Sequence, residues 1–154
     1  MATYANKTTV DANQSRAEIE RTLERYGATS FAYSKTEAEA VIIFDMENRR
    51  VRFNLPLPAR SGFTQTETGR SRKSQTAIED AYQQAVRQRW RALALVIKAK
   101  LESIESGIES FDQAFMPQIM LPGGRETVSS WMVPQIEIAY ETGKMPPLLI
   151  SGGD

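Results

Sequence analysis

From Thr76 to Ile104 the chain runs without glycine or proline, and its apolar residues fall at Ile78, Tyr82, Val86, Trp90, Leu93, Ile97, Leu101 and Ile104. Every step is three or four residues, the period of an α-helix with one buried stripe. Thr76 and Glu79 have the spacing of a capping box, in which hydroxyl and carboxylate satisfy amides that the first turn leaves open. Gly107 is the expected stop. At 1.5 Å per residue such a helix spans roughly 40 Å, the width of a small domain. The other elements are expected to arrange themselves around it.

Ahead of it the pattern changes twice. Residues 1–14 are polar and aperiodic and predict a flexible arm. Ser15 and Glu18 repeat the capping-box spacing, Ala17, Ile19, Leu23 and Tyr26 give a helical stripe, and Gly27 closes it. Period-two alternation then predicts strands: Phe31 and Tyr33 in one, Ala40, Ile42, Phe44 and Met46 on one face of AVIIFDM, and Val51, Phe53 and Leu55 between Arg50, Arg52 and Asn54. Glu47-Asn48 is a tight turn, and Pro56 and Pro58 end the meander. Residues 59–75 are a long polar loop. Beyond Gly107, Ser110 caps a single turn, FDQAF. Gln118–Leu121 and Glu126–Val128 flank a Pro-Gly-Gly turn as a short hairpin. A last helix starts at Ser129 or Ser130 with Pro134 near its first turn, Ile136, Ala139 and Tyr140 inward, and Gly143 at its end. The reading is an α+β fold: N-terminal helix, three-stranded antiparallel meander, one long central helix, C-terminal short hairpin and helix. Residues 15–147 form one domain, and 148–154 a tail whose Leu148, Leu149 and Ile150 suit docking on a partner or a second copy, as in a homo-oligomer.

Composition narrows the chemistry. The 154 residues contain no cysteine and no histidine. A thiolate metal site, a Ser-His-Asp triad and a Cys-His pair are therefore impossible, and the commonest general base and metal ligand are missing. Asp45 is a lone acid in an apolar strand with no second acid at a catalytic spacing. The expectation is a protein that is not an enzyme and has no catalytic residues, no metal and no cofactor. No apolar run reaches the ~18 residues of a membrane span, and a cytoplasmic location is expected, the host cytoplasm if the chain is phage-encoded.

The net charge is zero but unevenly placed. Residues 49–100 hold 12 Lys or Arg against 3 Asp or Glu, a net of +9, and the remainder balances it at −9. No acid lies between Asp80 and Glu102, yet Arg87, Arg89, Arg91, Lys98 and Lys100 do. On a helical wheel Arg87, Arg91 and Lys98 fall within about 40° of one another. Arg70, Arg72 and Lys73 stand at the helix entrance, where open amides and the dipole attract anions. With Arg50 and Arg52 on the wet face of the meander, these residues predict a phosphate-contacting surface. The competing reading pairs the same cations with the acids of the first helix and of residues 102–112. Arg89 and Lys100 sit at the edge of the apolar side, as snorkelling stems or as a basic pocket wall. The aromatic residues fall on core positions by pattern.

The order helix, meander, basic loop, helix resembles the double-stranded-RNA-binding domain, in which basic residues at the start of the second helix grip phosphates. Arg70, Arg72 and Lys73 occupy that place here, although the second helix is about twice the expected length and residues 108–150 have no counterpart. A meander followed by a long basic helix also looks like the core of phage single-strand annealing proteins. The blocks AEIERTLERYGA, RVRFNLPLP, RQRWRALALVIKAKLE and VPQIEIAYETG resemble a family of small phage and prophage proteins, which implies a phage origin and carries over no site residue. Two functions follow: a phage-encoded nucleic-acid-binding accessory protein, acting on DNA, or an inhibitor of a host defence system that binds a host protein or a nucleotide signal.

Overall fold

The run AVIIFDM becomes the middle strand of a meander. The computed structural model describes residue 5, residues 7–72 and residues 74–145. In it β1 (Ser30–Lys35), β2 (Glu39–Met46) and β3 (Arg49–Pro56) pair antiparallel in that order. Glu47 and Asn48 make the two-residue turn, both with positive φ (52° and 58°), the left-handed backbone that matches strand twist in a tight hairpin. That turn fixes the register: Phe44 stands opposite Val51 and Ile42 opposite Phe53. Ala40, Ile42, Phe44, Met46, Val51, Phe53 and Leu55 are all buried on one face.

That face is covered by α2 (Gln75–Glu105), which presents Tyr82, Val86, Trp90, Leu93, Ala94, Ile97 and Leu101. The helix begins two residues earlier than the capping-box pattern predicts. Ser74, not Thr76, is the N-cap, its Oγ accepting from the Ala77 amide at 3.1 Å, and Glu79 is drawn instead onto Arg60.

Beside α2 lies α1 (Ala12–Arg25), burying Ile19 and Leu23. Here too the cap differs. Asp11 and Gln14 form the capping box and Ser15 is buried inside the helix, so the expected arm of 1–14 ends before Ala12. Asp11 wins because Ser15 lies on the face that packs inward, whereas Glu18 is needed elsewhere. The carbonyl of Thr8 accepts from Gln84 Nε2 at 2.9 Å, tying this segment to α2 as well.

After α2, Gly107 (φ 72°) turns the chain, and α3 (Phe111–Phe115) drives Phe115 into the core edge-on to Phe44 and Phe53. A hairpin follows. Met120 bridges Thr127, and Ile119 pairs with Val51, so its first arm extends the open edge of β3. The last helix, α4 (Val128–Thr142), starts from Thr127 in a capping box with Ser130 and ends at Gly143 in the left-handed conformation. Two expectations fail there. Pro134 lies inside the helix, because the cap is two residues upstream of Ser129, and Ile136 and Tyr140 are exposed rather than inward. The tail residues Leu148–Ile150 lie outside the described residues.

Trp90 is 3% exposed and contacts the Tyr33 ring at 5.7 Å between centroids. Trp90→Ala is expected to destabilise the fold by about 3–5 kcal/mol. Chemical denaturation checks this, and an unchanged midpoint would contradict the placement of the α2 stripe.

Candidate functional site

The predicted basic stripe of α2 is the side along which α1 docks. Arg91 donates to Glu18 Oε2 at 2.6 Å, with the two side chains only 26% and 36% exposed. Arg87 forks onto Gln84 Oε1 at 3.2 and 2.6 Å. Lys98, further along the same stripe, is exposed and makes no hydrogen bond or ion pair with a described residue. A phosphate track along this line would compete with Glu18 of α1 for Arg91 and with Gln84 of α2 itself for Arg87.

The helix entrance is built in the same way. Arg72 passes beneath its own loop and donates to the carbonyls of Phe63, at 2.9 Å, and of Gln65. It closes a small turn in which Gln65 bridges Ser71. Arg70 projects outward at the tip of that turn. Lys73 lies outside the described residues. Arg60, which the pattern did not single out, stacks over the Tyr82 ring at 4.1 Å and pairs with Glu79 at 2.9 Å. The loop is thereby docked on α2. Arg89 and Lys100 snorkel, but their heads return to backbone: Arg89 to Pro56 O at 2.9 Å and Lys100 to Ala114 O at 2.6 Å.

The outer face of the sheet is different, because no helix among the described residues covers it. It carries Ser30, Ala32 and Ser34 from β1, Val41, Ile43 and Asp45 from β2, and Arg50, Arg52 and Asn54 from β3. Phe31, Tyr33, Phe44 and Phe53 lie on the helix side, so this face presents no aromatic ring on which bases could stack. Arg50 is held by Asp45, with its Nε and Nη2 donating at 2.8 and 3.0 Å. Arg52 is not held by an acid. Its Nε donates to the neutral Asn54 amide oxygen at 2.8 Å, and the rest of its fork is open to the neighbouring cleft.

That cleft, of about 410 Å³, lies between β3, the 119–127 hairpin and the first turn of α4. It is lined by Arg52, Phe53 and Asn54 of β3, by Pro117 and Gln118, and by Arg125, Thr127, Ser129 and Ser130. Arg125 is exposed and has no ion pair or hydrogen bond with a described residue. Gln118 Oε1 is buried and meets no donor among the described residues. The α4 N-terminus adds the positive end of its dipole. Sequence reasoning finds Arg52 but not Arg125 or Gln118. Arg125 lies far from the basic segment in sequence, and only the pairing of the hairpin with Val51 carries it to β3. A second, larger cavity of about 840 Å³ lies beyond the hairpin, against Arg49, Arg50 and the Pro122–Gly124 turn. There Arg49 is taken by Asp112, at 3.1 Å.

Among the described residues no group of three or more Asp or Glu side chains is placed to hold a metal ion, and no helix is long and apolar enough to cross a membrane. Comparison with known proteins finds no family model, no curated protein and no solved structure that matches the chain.

Asp45 gives this face a pH signature. Hydrogen bonds from Arg50 and then Ser30 hold its carboxyl down at about 2, below its usual 3.8. A depressed carboxylate stabilises the fold in its charged form: the contribution is complete above about pH 4 and is lost as pH falls through about 2. Arg50 is 60% exposed, so solvent screening keeps this to ~1 kcal/mol or less. The stability difference between wild type and Asp45→Asn should shrink toward zero on acidification; a difference independent of pH would contradict the pairing.

Proposed function

We propose that this chain is a nucleic-acid-binding accessory protein, of the phage type its sequence blocks suggest, that holds DNA phosphates at the cleft beside β3 and not along α2. The observation that supports this reading is that Arg52 and Arg125 line one cleft with no acid to neutralise either. A guanidinium fork fits a phosphate through two parallel hydrogen bonds, and the dipole of α4 adds to the attraction. Arg50, two residues along β3, has its fork taken by Asp45 and adds no second contact. With no aromatic platform on the outer sheet face, the contacts go to the backbone and are indifferent to sequence.

Gln118 favours a second reading. Its side chain lines the cleft and its amide oxygen is buried without a donor among the described residues; turned into the cleft, that acceptor suits a single nucleotide, its phosphate on the two arginines and a base or sugar donor on Gln118. An inhibitor that sequesters a nucleotide signal of host defence would work in this way, within the usual 300–1,000 Å³ of a small-molecule site.

The two readings separate in one set of titrations. Fluorescence anisotropy with labelled oligothymidylate is measured at two salt concentrations for wild type, Arg52→Gln/Arg125→Gln and Arg87→Gln/Arg91→Gln. Counterion release predicts that removing two phosphate contacts from a single strand makes the log affinity–log salt slope shallower by about 1.4. The first double variant should show that change and the second should not. Failure of wild type to bind oligonucleotide at low salt, with mononucleotides still binding, selects the second reading. Failure of both ligands overturns both.

A further inference from the structure

The cleft beside β3 holds more donors than its neighbours use. Val51 bridges Ile119 and Met120 bridges Thr127, a register that brings Arg52, Gln118 and Ser129 into one row across β3, the hairpin and the start of α4. All three line the cleft. Arg52 spends its Nε on Asn54, and its two Nη groups make no hydrogen bond with a described residue. The whole guanidinium of Arg125 is uncommitted in the same sense. So are the N–H and hydroxyl of Ser129: the amides on either side of it, of Val128 and Ser130, donate to Ile119 O and Thr127 Oγ1, and its own does not. Among the described residues no Asp or Glu lines the cleft. Glu39, reached by Asn54 Nδ2 at 3.4 Å, stands outside the lining.

Two unpaired guanidinia and these free donors exceed what a phosphate inside a strand can answer. An internal phosphodiester brings one negative charge and two free oxygens. A phosphomonoester, at a strand end or on a mononucleotide, brings roughly −2 near pH 7 and three acceptor oxygens. Its charge matches the two arginines. Each fork grips two oxygens in parallel, so two forks share the three, and lone pairs remain for the Ser129 N–H and hydroxyl. We propose that the cleft takes a terminal phosphomonoester, the phosphorylated end of a DNA strand or the phosphate of a free mononucleotide, and not a phosphodiester within a strand. The inference rests on the reading of the cleft as a phosphate site and narrows its ligand. Arg52 and Arg125 hold the dianion, and Ser129 orients it where the dipole of α4 is positive. A strand held in this way is gripped by its end, whatever its base sequence.

Fluorescence anisotropy of the full chain with internally labelled oligothymidylate tests this. The strand is supplied 5′-phosphorylated, 3′-phosphorylated, or with hydroxyls at both ends. A phosphorylated end should tighten binding roughly tenfold or more, the effect of an added charge-assisted hydrogen bond, and the end that gains identifies the source. Thymidine 5′-monophosphate should displace the strand and thymidine should not. Displacement by the monophosphate with no gain from either end assigns the cleft to the free nucleotide. Arg52→Gln/Arg125→Gln should bind all three strands alike. Equal binding of the three strands by wild type without displacement by the monophosphate, or a double variant that still prefers a phosphorylated end, would overturn the inference and leave the phosphate reading standing. Absence of binding by every one of these ligands would overturn both. Should the double variant fail to fold, the wild-type comparison of strand ends decides alone.

Discussion

A three-stranded sheet has one face that water can wet and one that must be covered, and in this chain α2 does most of the covering. Its 31 residues extend about 46 Å, well beyond the ~27 Å of an eight-residue strand. The overhang governs what else the fold contains. Tyr82, near the start of α2, is covered by Phe63 and Arg60 from the loop that enters the helix. The long side is covered by α1. On the other side the sheet's Phe44 and Phe53 are closed by Phe115 from α3. Each of these covers brings polar groups with it, and those groups consume the cations of the basic segment.

Part of the charge asymmetry is thereby neutralised inside the molecule. Glu18 of α1 meets Arg91 and Asp112 of α3 meets Arg49, so acids from the −9 part of the chain fold back onto the +9 part. Arg60 and Arg50 find Glu79 and Asp45 nearby. Three more heads, those of Arg72, Arg89 and Lys100, turn to carbonyls. Exposed pairs of this kind add little to stability individually, but they occupy the guanidinium forks a phosphate would need. Against that background Arg52 and Arg125, which line one cleft and have no acid partner, are the cations best placed for an outside ligand.

The core and the meander were legible because burial writes a period into the sequence. Two-residue alternation placed Phe44 and Val51 on one face, and three- and four-residue steps placed Trp90 and Leu101 on one stripe. Caps were less legible, because Ser, Thr and Asp cluster at helix starts and tertiary packing chooses among them. Ser15 was claimed by the core, and Asp11 capped in its place. The stripe of Arg87 and Arg91 was read correctly as a shared face, yet nothing local says whether water or α1 lies against it. The cleft was the least legible part. It depends on the long-range pairing of Ile119 with Val51, which has no periodic signature. The exposure of α4 was hidden by its own apolar pattern, which reads as core until the partner surface is missing.

The central claim is that the ligand-facing cations are those of the cleft and that Arg87 and Arg91 of α2, with Arg72 at its entrance, are spent within the fold. Arginine side-chain Nε–Hε resonances followed by NMR during titration with a short oligothymidylate test it residue by residue. The account predicts that the resonances of Arg52 and Arg125 shift and saturate together while those of Arg87, Arg91 and Arg72 stay in place. Shifts at Arg87 and Arg91 with Arg52 and Arg125 unmoved would contradict it.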